Sequence, residues 1–311
     1  MGNADTTNPA STGPSTFVVS LTPFADDETL DEAGLRAHLG RLASSGIGVY
    51  LGGSGSGEGY TLVPDEVRRV LEIGVDELRG RVPVRAMGVE PRSAREMVQL
   101  GRIAAAAGVD ALQVYSLDVG HGNRPRPDEL RRFYGDVLDA VHLPVVLSTH
   151  QSVGYALPVE LIRDLVDEYD SILGVNCSHN DLNYLVRLLD AVAGEVEVHV
   201  GGPMHALSCL ALGGQGYLSS EGNLTPRLCV AVVDAYRRGD LAACHAAYAR
   251  VMKLHAETRR LGGISATKAA LAWLGLPGGT VRRPRLPVSD ADRASIVAMV
   301  DDLDLGGSFP A

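Results

Sequence analysis

Histidines recur in this chain directly after short apolar runs, which is where proton-transfer chemistry would be carried. His121 follows ALQVYS, His150 follows PVVLST, His179 follows ILGVNC and His205 follows VEVHVGG, with Asp118 and Asn123 beside the first of them. Imidazole titrates near neutrality and serves as general acid, general base or metal ligand. Any one of these rings has a bland reading as a hydrogen-bonded loop residue; four after consecutive runs suggest a shared site. They lack H-x-H or H-x-x-E-H spacing, so no metal site is assigned and no cofactor is called for. Tyr115 belongs to the same set, as a proton relay or as packing. Cys177 reads as a packed residue, and His38, His142, His245 and His255 fall on predicted helices or their ends and are read as carrying no chemistry.

The runs that place these residues alternate with amphipathic stretches. TFVVSL, GVYLGG, VPVRAMG, ALQVYS, PVVLST, ILGVNC, VEVHVGG and GYLSS are β-branched and short; DEAGLRAHLGRLASSG, VPDEVRRVLEIGVDELRG and SAREMVQLGRIAAAAG have helical periodicity and close on glycine. Pro64, Pro127 and Pro158 stand near helix starts, where a missing N–H costs nothing. Eight such alternations predict a (β/α)8 TIM barrel, an α/β fold whose chemistry sits at the C-terminal strand ends. The expected organisation is a disordered leader over residues 1–15, a barrel core over 16–225, and a last barrel helix with a C-terminal helical extension over 226–311. The 311 residues carry 28 Lys+Arg against 38 Asp+Glu, a formal net charge of -10, which argues against nucleic acid and anionic membrane as partners. Four scattered cysteines and a polar N-terminus predict a reduced, cytoplasmic protein without signal peptide or membrane span.

Several motifs resemble the superfamily of dihydrodipicolinate synthase and N-acetylneuraminate lyase. LTPF is similar to its first-strand end, GGSGSGEGYTLVPDEVRRV to its GttGE signature, LGGQGYLSSEGNLTP to its strand-eight segment, and RRGDLAACHAAYARV and TVRRPRLPVSDAD to its later helix and tail. The resemblance implies a pyruvate-type lyase, built as a homo-oligomer (dimer or tetramer). It also implies that Ser54, Gly55, Ser56 and Gly57 hold a substrate carboxylate through backbone N–H groups and hydroxyls; His179 and His205, as strand-end histidines, are read as further substrate-binding residues. A glycine-rich turn serving backbone geometry alone is the competing reading. In the strand SILGVNCSHND, the family's Schiff-base lysine falls on Asn176; its catalytic tyrosine falls on Ser148, with His150 two residues on. An amide nitrogen forms no imine. The chain's two lysines, Lys253 and Lys268, lie in C-terminal helical segments, away from the expected barrel centre.

Three explanations follow for a superfamily scaffold without its lysine. In the first, His150, Asn176 and His121, with Asp118, Ser148 and Tyr115 beside them, run general acid–base chemistry on a small carboxylate or carbonyl metabolite, Asn176 donating to a developing oxyanion. Aldol, hydration and cyclisation steps all fit this reading, and a specialised pathway is its natural setting. The second is a histidine-ligated metal lyase or hydrolase. The third is an inactive member that binds or regulates.

Overall fold

The computed structural model describes residues 15–305. Eight parallel strands close in sequence order into one barrel: β1 (Thr16–Val19), β2 (Gly48–Leu51), β3 (Val84–Ala86), β4 (Ala111–Val114), β5 (Val145–His150), β6 (Ile172–Ser178), β7 (Glu197–Gly201) and β8 (Gly216–Ser219). Each predicted run supplies one strand. The helices between them are α1 (Glu32–Ala43), α2 (Pro64–Leu78), α3 (Ala94–Ala107), α4 (Pro127–Ala140), α5 (Val159–Glu168), α6 (Leu182–Val192) and α7 (Ala206–Ala211), with α8 (Pro226–Arg237) closing the last repeat. The extension contributes α9 (Leu241–Arg260), α10 (Ile264–Trp273) and α11 (Asp290–Asp302).

Local chemistry accounts for the element boundaries. Pro64 and Pro127 stand at the first turns of α2 and α4, whereas Pro158 sits one position earlier, as the N-cap of α5. Gly108 closes α3 in the left-handed region at φ 81°. Gly216 brings β8 against the chain entering β1: a Cβ there would lie 1.6 Å from the Ser15 carbonyl oxygen. Any side chain would force the seam of the barrel open. Residues 1–14 of the expected leader lie outside the described residues; Ser15 is buried, and its carbonyl accepts from the Tyr217 N–H.

Two layers of burial matter for function. The large apolar core lies between the strands and the helices, and Cys177, Cys209 and Cys229 belong to it. The barrel interior holds Phe17, Tyr50, Met87, Tyr115 and Leu218 as a separate cluster. Beneath it the interior is charged: the Arg85 guanidinium lies 4.3 Å above the Phe17 ring and donates to Glu197 at 2.9 Å and to the Tyr50 hydroxyl at 3.2 Å. The guanidinium is held by this stacking and by the two hydrogen bonds, while its Nε is buried without a partner. Among the described residues no helix is long and apolar enough to cross a membrane.

Candidate active site

A cavity of about 450 Å³ opens at the C-terminal ends of the strands. Its floor is Asn176, 1% exposed on β6. The Asn176 Nδ2 donates to Gln113 Oε1 on β4 and to the Tyr50 hydroxyl at 3.2 Å, while its Oδ1 is buried without a hydrogen-bond partner. Both amide protons are therefore engaged inside the barrel. This corrects the expectation that Asn176 donates to an oxyanion: the group it presents is an acceptor. Gln113 lines the cavity and its own Nε2 meets no acceptor among the described residues, so the donor at the floor is Gln113.

Tyr115 and His150 line the same cavity. Burial, and secondarily the charge of Glu90, push the Tyr115 hydroxyl well above its ordinary range, so it stays a protonated donor. Burial pulls the His150 ring down, with Glu90 opposing, which favours the neutral imidazole. Its Nδ1 accepts the Ser152 backbone N–H at 3.0 Å. A neutral ring that accepts at Nδ1 carries its proton on Nε2, so His150 is set to donate.

The glycine-rich turn enters the cavity through Gly55 and Ser56, whereas Ser54 and Gly57 do not line it. The register is displaced from the expected pair of serines because the turn is compressed: a Cβ on Gly57 would lie 2.7 Å from the Gly53 carbonyl, and one on Gly59 would lie 2.1 Å from that of Gly52. The backbone N–H groups of Gly55 and Ser56 meet no acceptor among the described residues. With the Ser56 hydroxyl they are donors that the turn presents without an internal partner.

The other expected residues are placed elsewhere. Asp118 and His121 ride a loop that swings outward after β4 and line a separate groove; Asp118 pairs with Arg92 at 3.4 Å, and its backbone N–H is tied to the Pro91 carbonyl. Ser148 is buried beside Asn176 in the β5–β6 register but does not line the cavity. Strand alternation turns Ser178 inward and His179 outward, where its ring stacks on Tyr184 at 4.5 Å. His205 caps α7 behind Met204. The four strand-end histidines thus do not converge, and among the described residues no group of three or more His, Cys, Asp or Glu is arranged as metal ligands.

Among the cavity residues that had not been anticipated are Gln113, Glu221, His255 and Arg259. Gln113 had a local signal, a lone amide two residues before Tyr115 in an otherwise apolar strand. His255, read as carrying no chemistry, faces the cavity because α9 folds back over β8. The two lysines do not reach it: Lys253 pairs with Asp302 on the surface, and Lys268 is buried against Glu58.

Cys177 packs outside the strands, and burial pushes its thiol up to about 12. The thiolate fraction at pH 7 is then about 10⁻⁵. Iodoacetamide should leave Cys177 unmodified in the native protein and label it in urea; rapid native labelling would contradict the packed position.

Comparison with known proteins agrees with this architecture. The model of the Dihydrodipicolinate synthetase family matches residues 13–303. The 4-hydroxy-tetrahydrodipicolinate synthase of Methanopyrus kandleri is 32% identical over 273 residues, covering 87% of this chain and 89% of that one. The enzyme of the same name from Hyphomonas neptunium is 33% identical over 291 residues, covering 90% and 94%. Among solved structures the fold is similar to YagE, a prophage protein of the dihydrodipicolinic acid synthase family from E. coli K12 in complex with pyruvate. That match has a TM-score of 0.87 and 26% identity, covering 95% of this chain and all of that one.

Proposed function

The chain belongs to the dihydrodipicolinate synthetase family, a family of lyases, and from that premise we propose that it acts on a small 2-oxo acid without forming a Schiff base. The carrying observation is the floor of the cavity, where an amide stands and which neither lysine reaches, while hydrogen-bond donors from three sides line the same space. A cavity of about 450 Å³ lies within the range of about 300–1,000 Å³ usual for small-molecule sites.

The substrate carboxylate sits on the Gly55–Ser56 turn. Its carbonyl oxygen points to Gln113, Tyr115 and His150, which receive the negative charge that develops when a proton leaves the neighbouring carbon or a bond to it breaks. Asn176 orients Gln113 from behind. Such a site makes or breaks a carbon–carbon or carbon–oxygen bond by acid–base catalysis, in an aldol, hydration or cyclisation step. The pyruvate bound to YagE supports the substrate class. We further propose a homo-oligomer, dimer or tetramer, by family analogy; Trp273 is 58% exposed on α10 and Leu286 is 72% exposed beyond it. A ligand-binding protein on the same scaffold is the second reading, favoured by the hydrogen bond that ties Asn176 to Gln113 at the floor.

The test uses pyruvate in D2O. The protein is expected to exchange the pyruvate methyl protons, read by ¹H NMR, and to give no mass adduct after borohydride. Binding without exchange would support the second reading. A borohydride adduct mapped to a barrel residue would overturn the non-covalent mechanism.

A further inference from the structure

We propose that His255, oriented by Glu221, is the base that removes the proton from the substrate carbon, with His150 as its complementary acid. The inference rests on the reading of the site given above and assigns the base that the reading leaves unnamed.

Glu221 follows β8 in a 3₁₀ turn, and its side chain is only 3% exposed. Its Oε2 accepts the Ser219 hydroxyl at 2.9 Å, and its Oε1 lies 2.8 Å from His255 Nδ1 on α9. An ionised carboxylate only accepts, so the imidazole proton must be on Nδ1. In that tautomer Nε2 holds the lone pair. Both residues line the cavity, beside Arg259. His150 has the opposite arrangement: its Nδ1 accepts from Ser152, so its Nε2 carries the proton. One cavity therefore holds a ring set to accept and a ring set to donate, three strands apart around the barrel.

The step balances without a cofactor. The His255 Nε2 lone pair takes the proton from the carbon next to the carbonyl. The C–H electron pair becomes the new C=C bond, and the C=O π pair moves onto oxygen, where Gln113, Tyr115 and His150 hydrogen-bond to it and His150 Nε2–H can protonate it. Glu221 touches no reacting atom. It is a positioning residue that sets the tautomer and stabilises the imidazolium that forms, the logic of a carboxylate-oriented histidine.

The experiment follows methyl-proton exchange of pyruvate in D2O, with pyruvate binding measured by calorimetry on the same samples. His255→Ala is expected to bind pyruvate within threefold of the parent and to lose exchange by about 10²–10⁴-fold. Added imidazole should restore part of that loss, which a merely structural role would not allow. Glu221→Leu, which removes the acceptor from His255 Nδ1, should slow exchange, and in ¹⁵N-histidine spectra should abolish the Nδ1-protonated signature of His255 seen in the parent. Exchange in the parent that survives His255→Ala overturns this assignment and leaves the non-covalent lyase reading standing. No exchange in the parent overturns both. A parent His255 with its proton on Nε2 also overturns the assignment.

Discussion

Replacing Lys268 by methionine is expected to lower the free energy of unfolding by about 3–5 kcal/mol, the range for a buried ion pair broken on one side. The Lys268 ammonium, 3% exposed, donates to the Thr22 carbonyl at 2.8 Å, to the Thr280 carbonyl at 2.6 Å and to Glu58 Oε1 at 2.5 Å. Glu58 Oε2 in turn accepts the Arg282 backbone N–H at 3.1 Å. Methionine fills much of the volume but leaves a fully buried carboxylate without its cation and two carbonyls without a donor. The clamp joins the chain after β1, the turn after β2, α10 and the C-terminal tail, and Glu58 itself adopts a left-handed φ of 52°. Loosening it should also displace the Gly55–Ser56 turn. Urea unfolding measures the effect, and a change below 1 kcal/mol would show that the pair does not hold these segments together. The double variant with Glu58→Leu should recover part of the loss, since the uncompensated charge is then gone.

Gln113→Leu is expected to cut pyruvate exchange by about 10²–10³-fold, the usual cost of removing one donor from an oxyanion site. Leucine conserves the bulk and removes two functions. The Nε2 donor to the substrate oxygen disappears, and the Asn176 Nδ2 keeps only the Tyr50 hydroxyl, leaving one buried amide proton unpaired at a cost of about 1–3 kcal/mol. Loss of a transition-state donor lowers kcat and kcat/KM together, whereas loss of ground-state binding raises KM alone. Equal falls in both are therefore expected for Gln113→Leu. A rise in KM with unchanged kcat would mean that Gln113 only binds, and the oxyanion would have to be assigned to Tyr115 and His150.

The eight strands, their order and the position of Asn176 at a strand end were legible because alternation and helical period are local properties, expressed within about ten residues. The same alternation placed Cys177 outside the barrel. It could not place Asp118 and His121, because a strand's period says nothing about where a long loop goes once the strand has ended. The glycine-rich turn after β2 was legible as a type of structure; which of its hydroxyls faces inward was not, since that depends on the Gly57 and Gly59 backbones packing on Gly53 and Gly52.

By itself, the sequence determined the barrel, the absence of an imine-forming lysine at its centre and the acidic charge balance of the protein. Only the tertiary structure decided which polar groups share one cavity. Glu221 and His255 are 34 residues apart, Asn176 and Gln113 are 63, and Lys268 and Glu58 are 210. Contacts over such separations leave no periodic trace, because they arise when barrel closure and the return of α9 over β8 bring distant segments together. The direction of each proton follows from those contacts in turn, since a histidine's tautomer is set by whichever neighbour the fold presents to its other nitrogen.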